Sequence, residues 1–215
     1  MTAIRDTGHA GRSGGAGGAG DPAPSDAAVV GAEGNERLTA WTGAALLLGF
    51  AAEGFTLLDV HWYMTWHLLI GYALLVPITL KIASTVYRFG RYYSNNPAYR
   101  RKGPPRLLLR VLGPLVIIST VVVMASGVGL MFFDGHHRQL EELHKTSFLG
   151  WVAVTAVHVL AYVWRLPRLM LADVLGRGTP RAAAVQRIVL SVGSGVVGLL
   201  LGVALLPWIS DWANR

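Results

Sequence analysis

Five apolar segments, each close to the length that crosses a bilayer, leave this chain essentially one kind of fold. They run from Leu38 to Leu58, Trp62 to Tyr87, Leu107 to Phe133, Leu143 to Trp164 and Val185 to Trp208. A spanning helix needs about 20 predominantly apolar residues, so each segment qualifies. The expectation is an all-α integral membrane bundle of five transmembrane helices. Composition agrees, with 53% hydrophobic and only 14% charged residues, where soluble domains carry about a quarter charged. The chain contains no cysteine. That excludes disulfides, thiolate-bound iron–sulfur clusters, cysteine zinc sites and haem attached through Cys-x-x-Cys-His. Any haem must be held by side-chain ligation and packing alone.

The net charge of +7 does not point to nucleic acid, because the arginines gather beside the apolar segments, where their role is topological. The stretch from Arg88 to Arg110 holds Arg88, Arg91, Arg100, Arg101, Lys102, Arg106 and Arg110 without an acid, and the stretch from Arg165 to Arg187 sets five arginines against Asp173. The opposite loops carry Asp59, Asp134, Arg138, Glu141, Glu142 and Lys145. Positive loops stay cytoplasmic, which predicts the N-terminus inside and the C-terminus outside. Residues 1–36 are rich in Gly, Ala, Ser and Pro. They cannot bury enough surface to offset chain entropy and are expected to form a disordered cytoplasmic tail, with the membrane bundle over 37–215. The tail lacks the apolar core and basic flank of a secretory signal. The fourth helix is expected to start before the membrane, near His137 or Arg138, after an Asp134-Gly135 turn.

Two matched frames stand out within the spans. His67 precedes Arg88 by 21 residues and His144 precedes Arg165 by 21, while Lys81 and His158 each precede the same arginines by seven. Within each helix the two rungs are 14 residues apart, hence on one face and roughly 21 Å apart along the axis. Both helices run from outside to inside, so the rungs descend together. Nitrogen-bearing side chains inside a membrane are expensive, and function is their default explanation. Paired imidazoles across a bundle are what a non-covalent haem needs for its two axial positions.

Each residue also has a plainer role. His67 and His144 stand at the outer membrane border, where a histidine can snorkel or make an ordinary hydrogen bond. His158 lies deep, where a neighbouring hydroxyl such as Thr79 or Thr155 would satisfy it. Lys81 occupies the place facing His158; lysine is an uncommon haem ligand, and its alternatives are to neutralise a haem propionate or a quinone oxygen. Glu53 is an intramembrane carboxylate, either a proton carrier, a partner to a cation, or a wetted group near the outer edge. His61, His136 and His137 fall in outer loops as solvated residues. Ser194, Gly198 and Gly202 form a small-residue stripe suited to helix packing. Ser126, Gly127, Gly129 and Gly71 would make room for a flat ring, and Tyr72 and Tyr162 are ordinary packing residues.

The stretches Trp66-His67-Leu68-Leu69-Ile70-Gly71, Leu143-His144-Lys145-Thr146-Ser147-Phe148 and Val157-His158-Val159-Leu160 resemble prokaryotic b-type cytochromes. That group is the di-haem cytochrome b and formate dehydrogenase gamma-like superfamily, which includes the membrane subunits of formate dehydrogenases and nickel–iron hydrogenases. Lys81, Tyr87-Arg88-Phe89, Arg91-Tyr92-Tyr93 and Gly103-Pro104-Pro105 carry a nearer resemblance to actinobacterial membrane proteins of that kind, often linked with molybdopterin oxidoreductases. The resemblance spans about residues 60–166. It implies a bacterial plasma-membrane protein passing electrons between the quinone pool and a peripheral redox partner through haem b. Carried over by position, His67, His144 and His158 are the haem-iron ligands. Lys81 stands where a fourth histidine would complete two haems, so one haem is expected and a second is left open.

Three functions follow as expectations. The first is a membrane b-type cytochrome, an electron-transfer subunit rather than a free-standing catalyst. The second is a proton or small-solute transporter using Glu53, Lys81 and His158; against it, the chain lacks the inverted repeat of many transporters, although Pro77 interrupts the second helix. The third is a haem-free anchor for an oxidoreductase.

Overall fold

The computed structural model describes residues 26–97, 107–133, 137–177 and 180–213, and every regular element among them is helical. In chain order these are α1 (Asp26–Thr56), α2 (Met64–Tyr93), α3 (Leu107–Phe132), α4 (His137–Tyr162), α5 (Leu166–Val174), α6 (Arg181–Ala204) and α7 (Leu206–Ala213). Five helical stretches are long and apolar enough to cross a membrane. Their outward faces expose large apolar side chains such as Leu48, Leu149 and Leu200. Contiguous exposure on that scale has no place in water. The protein is an all-α, multi-pass membrane bundle.

The helices form two packing units. In one, α1, α2 and α6 pack against one another, with α5 against α1 and α7 against α2; in the other, α3 and α4 pair as a hairpin. Contact between the units is slight. The small core of Leu46, Leu74 and Ile78 belongs to the first unit, and Met124 of α3 reaches across to it. Packing of α6 on α2 rests on the small-residue stripe. A Cβ at Gly198 would run into the Ala73 carbonyl oxygen, and one at Gly202 would lie 2.8 Å from that of Leu69. The obstacle is backbone, which cannot rotate away, so Gly198→Ala must push the helices apart. Overpacking of this kind costs about 1–3 kcal/mol, occasionally more, and a lowered thermal unfolding midpoint in detergent should report it.

Several boundaries differ from the sequence expectation. The first helix begins at Asp26 rather than Leu38, so residues 26–36 of the expected tail are its opening turns; residues 1–25 lie outside the described residues. Long-range partners hold those turns. Asn35 donates to the Ser84 carbonyl, Glu36 faces Arg165 and Arg37 pairs with Asp173. The second helix continues to Tyr93 and passes through Pro77 unbroken. The fifth span does not reach Trp208 as one helix. Leu205 breaks it before α7, since Pro207 lacks an N–H and constrains the residue ahead of it. The fourth helix starts at His137 as expected, and the Asp134-Gly135 turn lies outside the described residues. After a 3-10 turn at Val163–Arg165, the stretch expected to be an arginine loop forms α5. It opens on Pro167, a residue suited to a first helical turn.

Helix α5 exists to deliver one carboxylate. Asp173 has a side chain with 0% exposure and accepts from Arg37 Nη1 at 2.8 Å. Arg187 binds it through two nitrogens, and Trp41 Nε1 donates to it at 3.3 Å. This buried node ties α1, α5 and α6 together at the arginine-rich end.

Candidate functional site

At the opposite end, the last turn of α1 descends onto the first turns of α2. Thr56 donates to the Glu53 carbonyl, and its oxygen lies 3.0 Å from His67 Nδ1. The Glu53 carboxylate is 3.1 Å from the same nitrogen. A threonine whose proton is already given to a carbonyl can only accept. The Nδ1 atom of His67 therefore carries the proton, and the lone pair is on Nε2. Gly71, one turn below, leaves space for the carboxylate: a Cβ there would sit 3.4 Å from Glu53 Oε1.

His144 is held in the same way by α3. Its Nδ1 lies 3.1 Å from the Val123 carbonyl oxygen and 3.1 Å from Ser126 Oγ, while Ser126 donates to that same carbonyl. A carbonyl can only accept, so Nδ1 again bears the proton and Nε2 the lone pair. Gly127 lets the ring in; a Cβ there would stand 3.0 Å from His144 Cε1. The serine and glycine expected to make room for a flat ring thus seat the imidazole itself. Gly129 instead packs against Leu140.

The two imidazoles come together. Their ring centroids are 6.4 Å apart with an interplanar angle of 80°. They meet across a gap, since α2 and α4 scarcely approach by backbone. Nitrogen–metal bonds of imidazole run about 2.0–2.1 Å; two rings clasping one metal from opposite sides therefore set their centroids roughly 6 Å apart. Fixing Nδ1–H on a carbonyl or carboxylate so that Nε2 faces the metal is the usual outer shell of a histidine ligand. At that spacing the two rings would serve as nitrogen ligands to a metal bound between them. Among the described residues no group of three or more His, Cys, Asp or Glu side chains could by itself hold a metal ion.

His158 does not join that pair. It lies roughly 21 Å further down α4, against Tyr162 at a ring-centroid distance of 4.9 Å. The hydroxyl partners expected for it are not there. Thr79 donates to the Leu75 carbonyl on an exposed face, and both Thr155 Oγ1 and His158 Nδ1 are buried without a hydrogen-bond partner among the described residues. Lys81 turns to α1 and donates to the Thr39 carbonyl oxygen. Glu53, expected to be wetted, has 15% side-chain exposure, and its Oε2 is buried and unpartnered among the described residues. The relay expected of Glu53, Lys81 and His158 is therefore divided, with Glu53 beside His67 and the other two lining a cavity below. Phe50 and Trp151, edge to face at 4.8 Å, lie in that cavity's wall. His61 is exposed in the turn before α2; His136 and the side chain of His137 lie outside the described residues.

Sequence reasoning missed what holds the histidines: Thr56, Val123 and Ser126, with Glu53 in its partner role. Their spacing was informative, since Glu53 and Thr56 fall on one face of the helix preceding His67. It also missed the Asp173 node, although a lone acid among five arginines was its signal. No family model, no curated protein and no solved structure matches the chain.

Proposed function

We propose that the protein is a membrane b-type cytochrome that carries electrons through one haem b held between His67 of α2 and His144 of α4. The observation that carries this reading is the pair of imidazoles 6.4 Å apart, each with Nδ1 committed to an acceptor and Nε2 left to ligate. Snorkelling histidines have no reason to converge, nor to adopt the same tautomer. Haem b, when bound, supplies a one-electron centre that cycles between ferric and ferrous iron.

The chain's own contribution is ligation, orientation and burial. Thr56, Glu53, Ser126 and the Val123 carbonyl fix the ring planes before the metal arrives, which lowers the ordering cost of ligation. The resemblance noted above adds the wider setting, in which the protein passes electrons between membrane quinones and a peripheral oxidoreductase. The test is a reduced-minus-oxidised spectrum of the purified chain, with haem content by pyridine haemochrome. Soret and alpha bands at one haem per chain are expected; a folded, colourless preparation from haem-replete cells would refute the reading.

A further inference from the structure

Below the histidine pair, α1 to α5 line a cleft of about 330 Å³ that is open on one side, so a lipid head can enter it while the acyl chains continue outside. Leu46, Phe50, Ile78, Ile117 and Trp151 give it an apolar, aromatic wall. Its charged lining is one-sided: Lys81, Arg88 and Arg165 against the single carboxylate of Glu36, which already faces Arg165 at 3.4 Å.

Two features of the lining call for an occupant. Lys81 has a backbone carbonyl as its hydrogen-bond acceptor, and no carboxylate pairs with it among the described residues. An ammonium in a membrane helix without a counter-charge is costly. On the same cavity wall, Thr155 Oγ1 and His158 Nδ1 are buried and unpartnered among the described residues. Lys81 and His158 sit two helical turns, roughly 10 Å, above the level of Arg88 and Arg165, with Thr155 about one turn deeper. A molecule that answers both levels has an anionic group at the arginines, acceptor oxygens two turns deeper, and an apolar remainder.

We propose that this cavity binds an anionic glycerophospholipid, with its phosphate at Arg88 and Arg165 and its ester carbonyls accepting from Lys81, His158 and Thr155. The acyl chains then lie along the apolar wall. Basic pockets between membrane helices on the cytoplasmic side take acidic lipids, and the arginine-rich ends are those expected to face the cytoplasm. The site is independent of haem at His67 and His144, which can be read separately in the same samples.

The full chain is examined by native mass spectrometry from detergent, and by thermal unfolding in nanodiscs of phosphatidylcholine with or without phosphatidylglycerol. One retained anionic phospholipid per chain is expected, with a higher unfolding midpoint in the anionic discs. Arg88→Gln with Arg165→Gln should lose the adduct and most of the difference, while unfolding as the wild type does in phosphatidylcholine alone. Equal midpoints for the wild type in both discs would overturn the proposal, and that comparison stands even if the double variant fails to fold. Equal protection by inorganic phosphate, an adduct unchanged in the double variant, or a second haem or a quinone bound in place of lipid would overturn it too.

Discussion

Purified His67→Ala and His144→Ala proteins are each expected to insert and fold but to lose nearly all haem b, with the Soret and alpha bands falling towards baseline. The size of the effect follows from how the group is held. The chain has no cysteine, so no covalent bond retains a porphyrin once an axial bond is gone. Second-shell changes alone typically cost 10–100-fold in metal affinity; removing a ligand costs more. The two variants should behave alike, because each imidazole has its own fixed Nδ1 partner and neither compensates for the other. His61→Ala is the control: His61 is exposed and should leave the spectrum unchanged. A His144→Ala protein with full haem content would show that His144 is only a satisfied border histidine.

Asp173→Ala should be the most destabilising single change at the arginine-rich end. Its carboxylate is wholly buried and shared by Arg37 and Arg187, whose side chains are 10% and 8% exposed. Removing the acid takes a buried carboxylate away from two buried guanidinium groups, and breaking a buried ion pair from one side costs about 3–5 kcal/mol. Trp41 Nε1 loses an acceptor as well. Unfolding in a denaturing detergent, followed by circular dichroism, should show a large downward shift in midpoint. Replacing all three charged residues by apolar ones of similar volume should recover much of the loss, since such triads are often no more stable than a well-packed apolar cluster.

The bundle was legible because the bilayer imposes a length on every span, and a 20-residue apolar run has few other homes. The histidine pair was legible because equal spacing from Arg88 and Arg165 puts two residues at one depth when their helices run parallel. The small-residue stripe was legible for a similar reason: a period of four marks one helix face, and Gly198 does lie against the backbone of α2. What stayed hidden depends on side chains that meet across large separations in sequence. Glu53 looked like a wetted border acid until α1 and α2 were seen to bring it to His67 Nδ1. Residues 26–36 looked like tail because their composition is that of disorder, while their order comes from Ser84, Arg165 and Asp173. The deep rung was legible only in part. A matched spacing set Lys81 opposite His158, and both do line one cavity, but it could not show that Lys81 donates back to α1.

Low-temperature electron paramagnetic resonance of the oxidised, purified wild type most directly tests whether His67 and His144 hold a haem iron as proposed. Two axial imidazoles with planes nearly at right angles, here 80°, give a low-spin ferric signal of large g anisotropy. That signal should appear at one spin per chain and vanish in both histidine variants. A high-spin signal from five-coordinate haem, or a folded chain containing no iron, would contradict the clasp of His67 and His144.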